Sequence, residues 1–165
     1  MNPFPKFVAI AACDPRGLIG NKGKLPWYYP EDLEHFYRST QGHVIIMGYH
    51  TFVSLPKRAL ADRTWIVFTK KHQVDPSMAH SVKSLAELRR YYAAHPELLE
   101  KTQFVVGGSS IFSLFFSEHL ISEALITLIH KQYEGDAYFP LHYLSSWHKK
   151  TLHANHEFTI VRYTP

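Results

Sequence analysis

Residues 17–40 read GLIGNKGKLPWYYPEDLEHFYRST, and most of what decides the fold follows from them. The second half carries the marks of a helix. Pro30 suits a first helical position, where its missing N–H costs nothing and its φ is already set. Glu31 and Asp32 fall in the first turn, where acids complement the helix dipole. Leu33, Phe36 and Tyr37 then recur at three- and four-residue spacing on one face. The first half belongs to a long loop from Asp14 to Tyr29, and long loops in compact domains are often functional. Taken alone, Asp32 is an acid at a helix start. Its neighbours Leu25, Pro26, Trp27, Tyr28, Tyr29, Leu33 and Phe36 admit a second reading. A carboxylate among such groups is partly desolvated, and its pKa tends upward. It then needs a partner with two donors, such as a ring nitrogen beside an exocyclic amine.

Working outward from this segment, short apolar runs read as strands: Phe7 to Ala12, His43 to Met47, Thr64 to Thr69, Gln103 to Val106 and Ala124 to His130. Continuous apolar runs suit strands covered on both faces. The tail from Glu157 to Tyr163 alternates, as a strand with one solvated face does. Ser84 to Ala94 opens with a Ser cap and places Glu87 at the capping-box position, and Ser109 to Phe116 forms a further helix after a glycine pair. Strands alternating with helices predict an α/β sheet with crossovers. No helix separates the last two predicted strands, which predicts a terminal antiparallel hairpin.

The 165 residues fit a single domain spanning 1–165. With 45% apolar and 19% charged residues the chain has a globular composition rather than a disordered one. The 18 Lys and Arg give a net charge of +4 but are scattered, which favours an anionic small molecule over nucleic acid. Neither an HExxH motif nor a Cys/His zinc grouping accompanies the 12 His, so no metal is expected. The single cysteine, Cys13, excludes an internal disulfide and suits a reducing compartment. The first apolar stretch is too short for a membrane span and lacks a signal-peptide cleavage region, so the expected address is the cytoplasm.

Three strand ends carry phosphate-friendly chemistry. Gly107-Gly108 follows a buried run and precedes a helix, where backbone can approach a ligand and free N–H groups can face an anion. Gly48-Tyr49-His50-Thr51 repeats the strand–turn–helix arrangement, with a hydroxyl at Thr51. Thr69-Lys70-Lys71-His72 places basic residues just past a strand. Ligands of open α/β sheets sit beyond the strand carboxyl ends, so the three junctions together suggest an extended anionic cofactor. GxGxxG is absent, and a standard dinucleotide fold is not supported.

Four motifs in order, GLIGNKGKLPWYYPEDLEHFYRST, VIIMGYHTFVSLP, FVVGGSSIF and YEGDAYFP, resemble the dihydrofolate reductase family from about Phe7 to the last strand. The resemblance implies a mostly parallel eight-stranded sheet with a C-terminal antiparallel strand and about four flanking helices. It implies reduction of dihydrofolate to tetrahydrofolate with NADPH in one-carbon metabolism, and inhibition by antifolate-like molecules. Asp32 matches the acid that holds the pteridine and raises the proton affinity of the ring nitrogen to be protonated. Trp27 matches a residue steadying that network through water, Leu25 the mobile-loop side chain closing over the reacting rings, and Thr127 a hydroxyl bonding the acid. Val8, Ala9, Ile10, Phe36, Leu55 and Val106 would line the substrate. Arg63 would grip its α-carboxylate, a task suited to a guanidinium. Ile10, Ile19 and Gly20 would face the nicotinamide. Gly48, Tyr49, His50, Thr51, Thr69, Lys70, Gly107, Gly108, Ser109 and Ser110 would hold the rest of the cofactor, with Gly107-Gly108 in a cis peptide. Asp136 matches an acid that supports the mobile loop. No nucleic acid or membrane partner is implied, and a monomer is expected.

Some residues depart from the family pattern. Tyr49 stands where an Arg or Lys usually meets the cofactor's extra phosphate; Thr69, Lys70, Lys71 and His50 could compensate. Phe112 replaces a Tyr that often lies near the nicotinamide. Two other readings compete: a reductase of the same fold acting on a pyrimidine of riboflavin synthesis, and an RNA- or nucleotide-binding module without turnover. The LPW motif with Asp32 argues against the former, and the scattered basic residues against the latter.

Overall fold

β1 (Phe7–Cys13) shows how the sheet is built. Phe7 and Ala9 join one apolar cluster while Val8 and Ile10 join another. The same alternation separates Val44 and Ile46 from Ile45 and Met47 in β3 (Val44–Gly48). Successive side chains of a strand point to opposite faces, so a run apolar at every position needs a layer on each side. The computed structural model describes residues 4–57 and 60–165 and supplies both layers. α1 (Pro30–Thr40) places Phe36 and Tyr37 on one face, together with Phe52 of α2 (Tyr49–Ser54). α3 (Leu85–Ala94) and α4 (Ser109–Ser117) cover the other through Leu88, Tyr92, Phe112, Phe115 and Phe116.

The remaining strands are β2 (Leu18–Gly20), β4 (Thr64–Phe68), β5 (His80–Val82), β6 (Gln103–Gly107), β7 (Ile121–Ile129), β8 (Ala137–Tyr138), β9 (His148–Ala154) and β10 (Phe158–Thr164). Eight of them form one sheet in the order β5-β4-β3-β6-β1-β7-β10-β9. The pairs from β5 to β7 are parallel, and β10 is antiparallel to both β7 and β9. This is the expected α/β architecture, with one antiparallel C-terminal strand. A parallel sheet aligns its carboxyl ends, so Cys13, Gly48, Phe68 and Gly107 close β1, β3, β4 and β6 along one edge.

Two expectations need correction. β7 and β10 do pair antiparallel, but they are not a hairpin: β8 and β9 lie between them in the chain, and the hairpin partner of β10 is β9. The sequence HKKTLHA hides that strand because every one of its residues is exposed. An edge strand rich in Lys needs no apolar alternation, and its charge discourages pairing with other chains. The long loop from Asp14 to Tyr29 also contains β2, which pairs with β8 in a two-stranded ribbon apart from the main sheet.

Candidate active site

α1 begins as its sequence dictates. Pro30 occupies the first turn, the backbone N–H of Asp32 and Leu33 both donate to the Tyr29 carbonyl, and Glu31 and Asp32 complete an acidic start. The helix start meets β7 where the buried Thr127 hydroxyl donates to Asp32 Oδ1 over 2.6 Å. Burial pushes the Asp32 carboxyl above its ordinary range; the Thr127 hydrogen bond and the nearby His35 offset only part of that rise. Such a carboxylate is available to a ligand offering two N–H groups, and its charge favours protonation of whatever it holds.

β1 runs beside β7, with Ala12 opposite Thr127, Ala11 opposite Ile126 and Ile10 opposite Leu125. This register corrects part of the expected substrate wall. Ala9 turns toward the α3/α4 layer and is fully buried. Val8 shares the α1 face but sits in the core opposite Phe104 and Glu123. The strand residues level with the acid are Ile10 to Ala12. Phe36, Leu55 and Val106 are half-buried and pack around the cluster that contains Ile10, so these expected wall residues are brought together. Arg63 lies just before β4 with a side chain only 5% exposed. Its Nε donates to Thr40 Oγ1 over 3.2 Å, Nη2 donates to the Tyr37 carbonyl, and Nη1 pairs with Asp62. The guanidinium is thereby fixed at the C-terminal end of α1.

A strap formed by β2 and its flanking loop passes over the carboxyl end of β1. Leu25 on it is a large apolar side chain, 54% exposed. Trp27 packs against Tyr133 at 5.1 Å, and the Tyr29 and Tyr133 hydroxyls lie 2.6 Å apart. The strap is pinned at both ends. At one, the fully buried Asp14 carboxylate accepts from the backbone N–H of Arg16, Leu18 and Tyr133 and pairs with Arg16. Burial acts to raise its pKa, but those donors and the Arg16 charge outweigh it and hold the carboxyl below its usual range. At the other, the Asp136 N–H donates to the Gly20 carbonyl (3.1 Å) and Asp136 Oδ1 accepts from the Lys22 N–H (3.2 Å). Asp14 and Tyr133 were not foreseen from sequence. Asp14-Pro15 reads as a turn, and its tie to Tyr133 spans 119 positions.

The glycine and basic junctions converge on the sheet edge. Gly107 has φ +129°, a region glycine tolerates, and its peptide to Gly108 is cis. A Cβ on Gly107 or Gly108 would lie 3.5 or 3.8 Å from the Thr51 hydroxyl, so the β6 and β3 junctions face each other. α4 starts at Ser109-Ser110 with no side-chain cap, leaving its first N–H groups to a ligand; Ser109 Oγ accepts from the Tyr138 N–H. Gly48 and Phe68 are paired across β3 and β4, which sets Tyr49 beside Thr69 and Lys70. Thr69 Oγ1 accepts from the His72 N–H, and the His72 ring lies flat on Tyr49 at 3.9 Å, with His50 edge-on to both. His72 belongs to the basic junction that the sequence places just past β4, but its stacking on Tyr49 was not foreseen. Ile19 and Gly20 lie on β2 of the strap. Phe112 is buried against Phe139. These groups fit an extended cofactor with a diphosphate: an open glycine cradle, hydroxyls, helix N–H groups and an aromatic-basic end.

Comparison with known proteins agrees. A family model described as dihydrofolate reductase matches residues 6–163. A dihydrofolate reductase of Lactococcus lactis is 32% identical over 166 residues, covering 94% of this chain and 95% of the relative. One from Bacillus subtilis is 35% identical over 138 residues, covering 84% and 77%. The solved structure of a dihydrofolate reductase from Enterococcus faecalis, complexed with NADP(H) and RAB-propyl, superposes with a TM-score of 0.76 at 27% identity, covering 96% of this chain and 95% of that one.

Proposed function

Because the chain belongs to the dihydrofolate reductase family and is an NADP-dependent oxidoreductase of that kind, we propose a division of labour among its residues. The observation that carries it is the buried Thr127–Asp32 hydrogen bond beside an apolar wall. Asp32 accepts two N–H groups of the dihydropteridine and raises the proton affinity of the ring nitrogen next to the carbon being reduced. Thr127 fixes the carboxylate's orientation. Phe36, Leu55, Val106 and the β1 segment Ile10 to Ala12 hold the flat ring and its benzoyl extension. Arg63, fixed by Thr40 and Tyr37, receives the α-carboxylate. Trp27 steadies the strap, and Leu25 closes over the reacting centre to exclude water.

Gly107, Gly108, Ser109, Ser110 and Thr51 hold the diphosphate of NADPH. Tyr49, His50, Thr69 and Lys70 hold its adenylate end, and Ile19, Gly20 and Ile10 lie at the nicotinamide. NADPH supplies the hydride when bound. Holding the two rings face to face gives this chain much of its rate advantage through proximity. The enzyme acts as a single-domain monomer in the cytoplasm, without nucleic acid or membrane partners, and binds antifolates at the Asp32 site. Among the described residues no helix is long and apolar enough to cross a membrane.

The test is a spectrophotometric assay with dihydrofolate and either NADPH or NADH. Loss of NADPH absorbance only when dihydrofolate is present supports the reading. Absence of turnover with both cofactors rejects it.

A further inference from the structure

The start of α1 lacks the side-chain cap that commonly fixes a helix end. Tyr29 stands at the N-cap position, and its side chain makes no bond to the free N–H groups of the first turn. What holds Tyr29 lies outside the helix. The Tyr29 and Tyr133 hydroxyls are 2.6 Å apart, one donating to the other across 104 positions of sequence, and the Tyr29 ring meets Phe158 edge-on at 6.1 Å. Tyr133 also packs its ring on Trp27 at 5.1 Å, donates its N–H to the buried Asp14 carboxylate over 3.1 Å, and accepts from Arg16 at its carbonyl. One residue in the segment after β7 thus touches the entry of the strap, its exit and the residue that opens the helix of Asp32.

Both tyrosines are half-buried against a small apolar cluster of Ile129, Phe158 and Ile160, together with Ala12 and Trp27. Phenylalanine at either position would fill the same space, so the hydroxyls serve the tie rather than the packing. The tie reaches Asp32 through the backbone. The Tyr29 carbonyl accepts from the Asp32 N–H over 3.0 Å and from the Leu33 N–H over 3.1 Å. Thr127 on β7 holds the carboxylate itself. β7 and the segment that follows it therefore grip the acid twice, once at its side chain and once at the turn that carries it.

We infer that Tyr133 is a positioning residue for the reaction: its hydroxyl, through Tyr29, fixes the helix start that places Asp32, while its ring and N–H fasten the strap to the same point. This rests on the proposed role of Asp32 toward substrate. Without the hydroxyl the first turn of α1 drifts, and the acid meets the pteridine in the productive geometry for a smaller fraction of the time. The glycine cradle at the start of α4 takes no part in the tie, so cofactor binding is spared.

The test is Tyr133→Phe in the full chain, which keeps the ring and the backbone contacts and removes only the hydroxyl. Single-turnover hydride transfer should slow about fivefold, the weight of one net hydrogen bond, with NADPH affinity unchanged. Tyr29→Phe should cost the same and serves alone if Tyr133→Phe does not fold. The double variant should be no slower than either single one, because the two hydroxyls form one bond. An unchanged rate, with or without a lower melting temperature, overturns the inference, as do losses that multiply in the double variant or an equal loss of NADPH affinity. Amide hydrogen exchange, read by NMR, follows the helix start without any turnover. The Asp32 and Leu33 amides should exchange about fivefold faster in either single variant, again the weight of one net bond; unchanged exchange overturns the inference. If the wild-type protein turns over no dihydrofolate, the proposed function fails, and the exchange of those two amides still decides whether Tyr133 holds the start of α1.

Discussion

Replacing Gly135 by Ala should push the β2 strap, proposed to close over the site, away from the segment leading into β8. A Cβ at this position would lie 2.4 Å from the Gly20 carbonyl oxygen, 2.8 Å from Leu18 Cδ1 and 3.1 Å from the Gly20 carbonyl carbon. Non-bonded heavy atoms settle near ~3.5 Å, so β2 must retreat by about 1 Å from the segment leading into β8. Two of the three obstructing atoms are backbone and cannot rotate aside. The retreat strains the Asp136 N–H to Gly20 carbonyl bond at 3.1 Å and the Lys22 N–H to Asp136 bond at 3.2 Å, and it disturbs the Gly20–Ala137 pairing. At about 1 kcal/mol net per hydrogen bond, losing two disfavours the closed strap by roughly 2 kcal/mol. That corresponds to about 30-fold in the closed population, and hydride transfer should slow by up to that factor. The assay is single-turnover stopped flow with NADPH and dihydrofolate, alongside a thermal melt. The melt should fall only modestly, because the strap's pairing with β8 lies outside the main sheet. A wild-type single-turnover rate in a folded Gly135→Ala protein would refute the reasoning.

Asp32→Asn should stabilise the protein at neutral pH. The folded-state pKa of Asp32 lies above its ordinary value of 3.8, so the native state binds this proton more tightly than the unfolded state. Wild-type stability therefore falls as pH rises through that window, and the advantage of Asn should be full at neutrality and vanish below about pH 4; melts that coincide at pH 7 would contradict this. Arg63→Lys should weaken binding of glutamate-bearing folates by roughly tenfold or more, the scale of one charged hydrogen bond, and leave tail-free diaminopyrimidines unaffected; equal losses for both ligands would reject the carboxylate contact. Tyr49→Arg should tighten NADPH with little change for NADH, by titration of each cofactor; identical responses would dismiss the idea that Tyr49 leaves charge wanting.

The sequence discloses those parts of the molecule whose local pattern and burial agree. Strands such as HVIIM and TWIVFT are covered on both faces, so each residue testifies to the same environment. Pro30, Leu33, Phe36 and Tyr37 specify α1 in the same way, and with it the placement of Asp32. β9 escapes because exposure removes the apolar signal. β2, β5 and β8 are two or three residues long, too short to show a period, and form only because a neighbouring strand is available. At the site, Asp32 and Thr127 are far apart in sequence, and their meeting was available only through resemblance. A uniformly apolar strand carries no mark of its register against β7, and only the fold shows that Ala12 pairs with Thr127. Asp14 looked like half of an Asp-Pro turn, whereas its three backbone donors make it an anchor of the strap.

The account stands or falls on the carboxylate of Asp32 as the group that makes the pteridine take up a proton. The direct measurement is the single-turnover rate of hydride transfer from saturating NADPH to dihydrofolate, in wild type and Asp32→Asn, from mildly acidic to mildly alkaline pH. The Asn variant should bind NADPH normally and transfer hydride roughly 10²–10⁴ times more slowly at neutral pH, the usual weight of positioned acid–base assistance. It should recover as acidity supplies the proton from solvent. An Asn variant with the wild-type rate and pH profile would contradict the account.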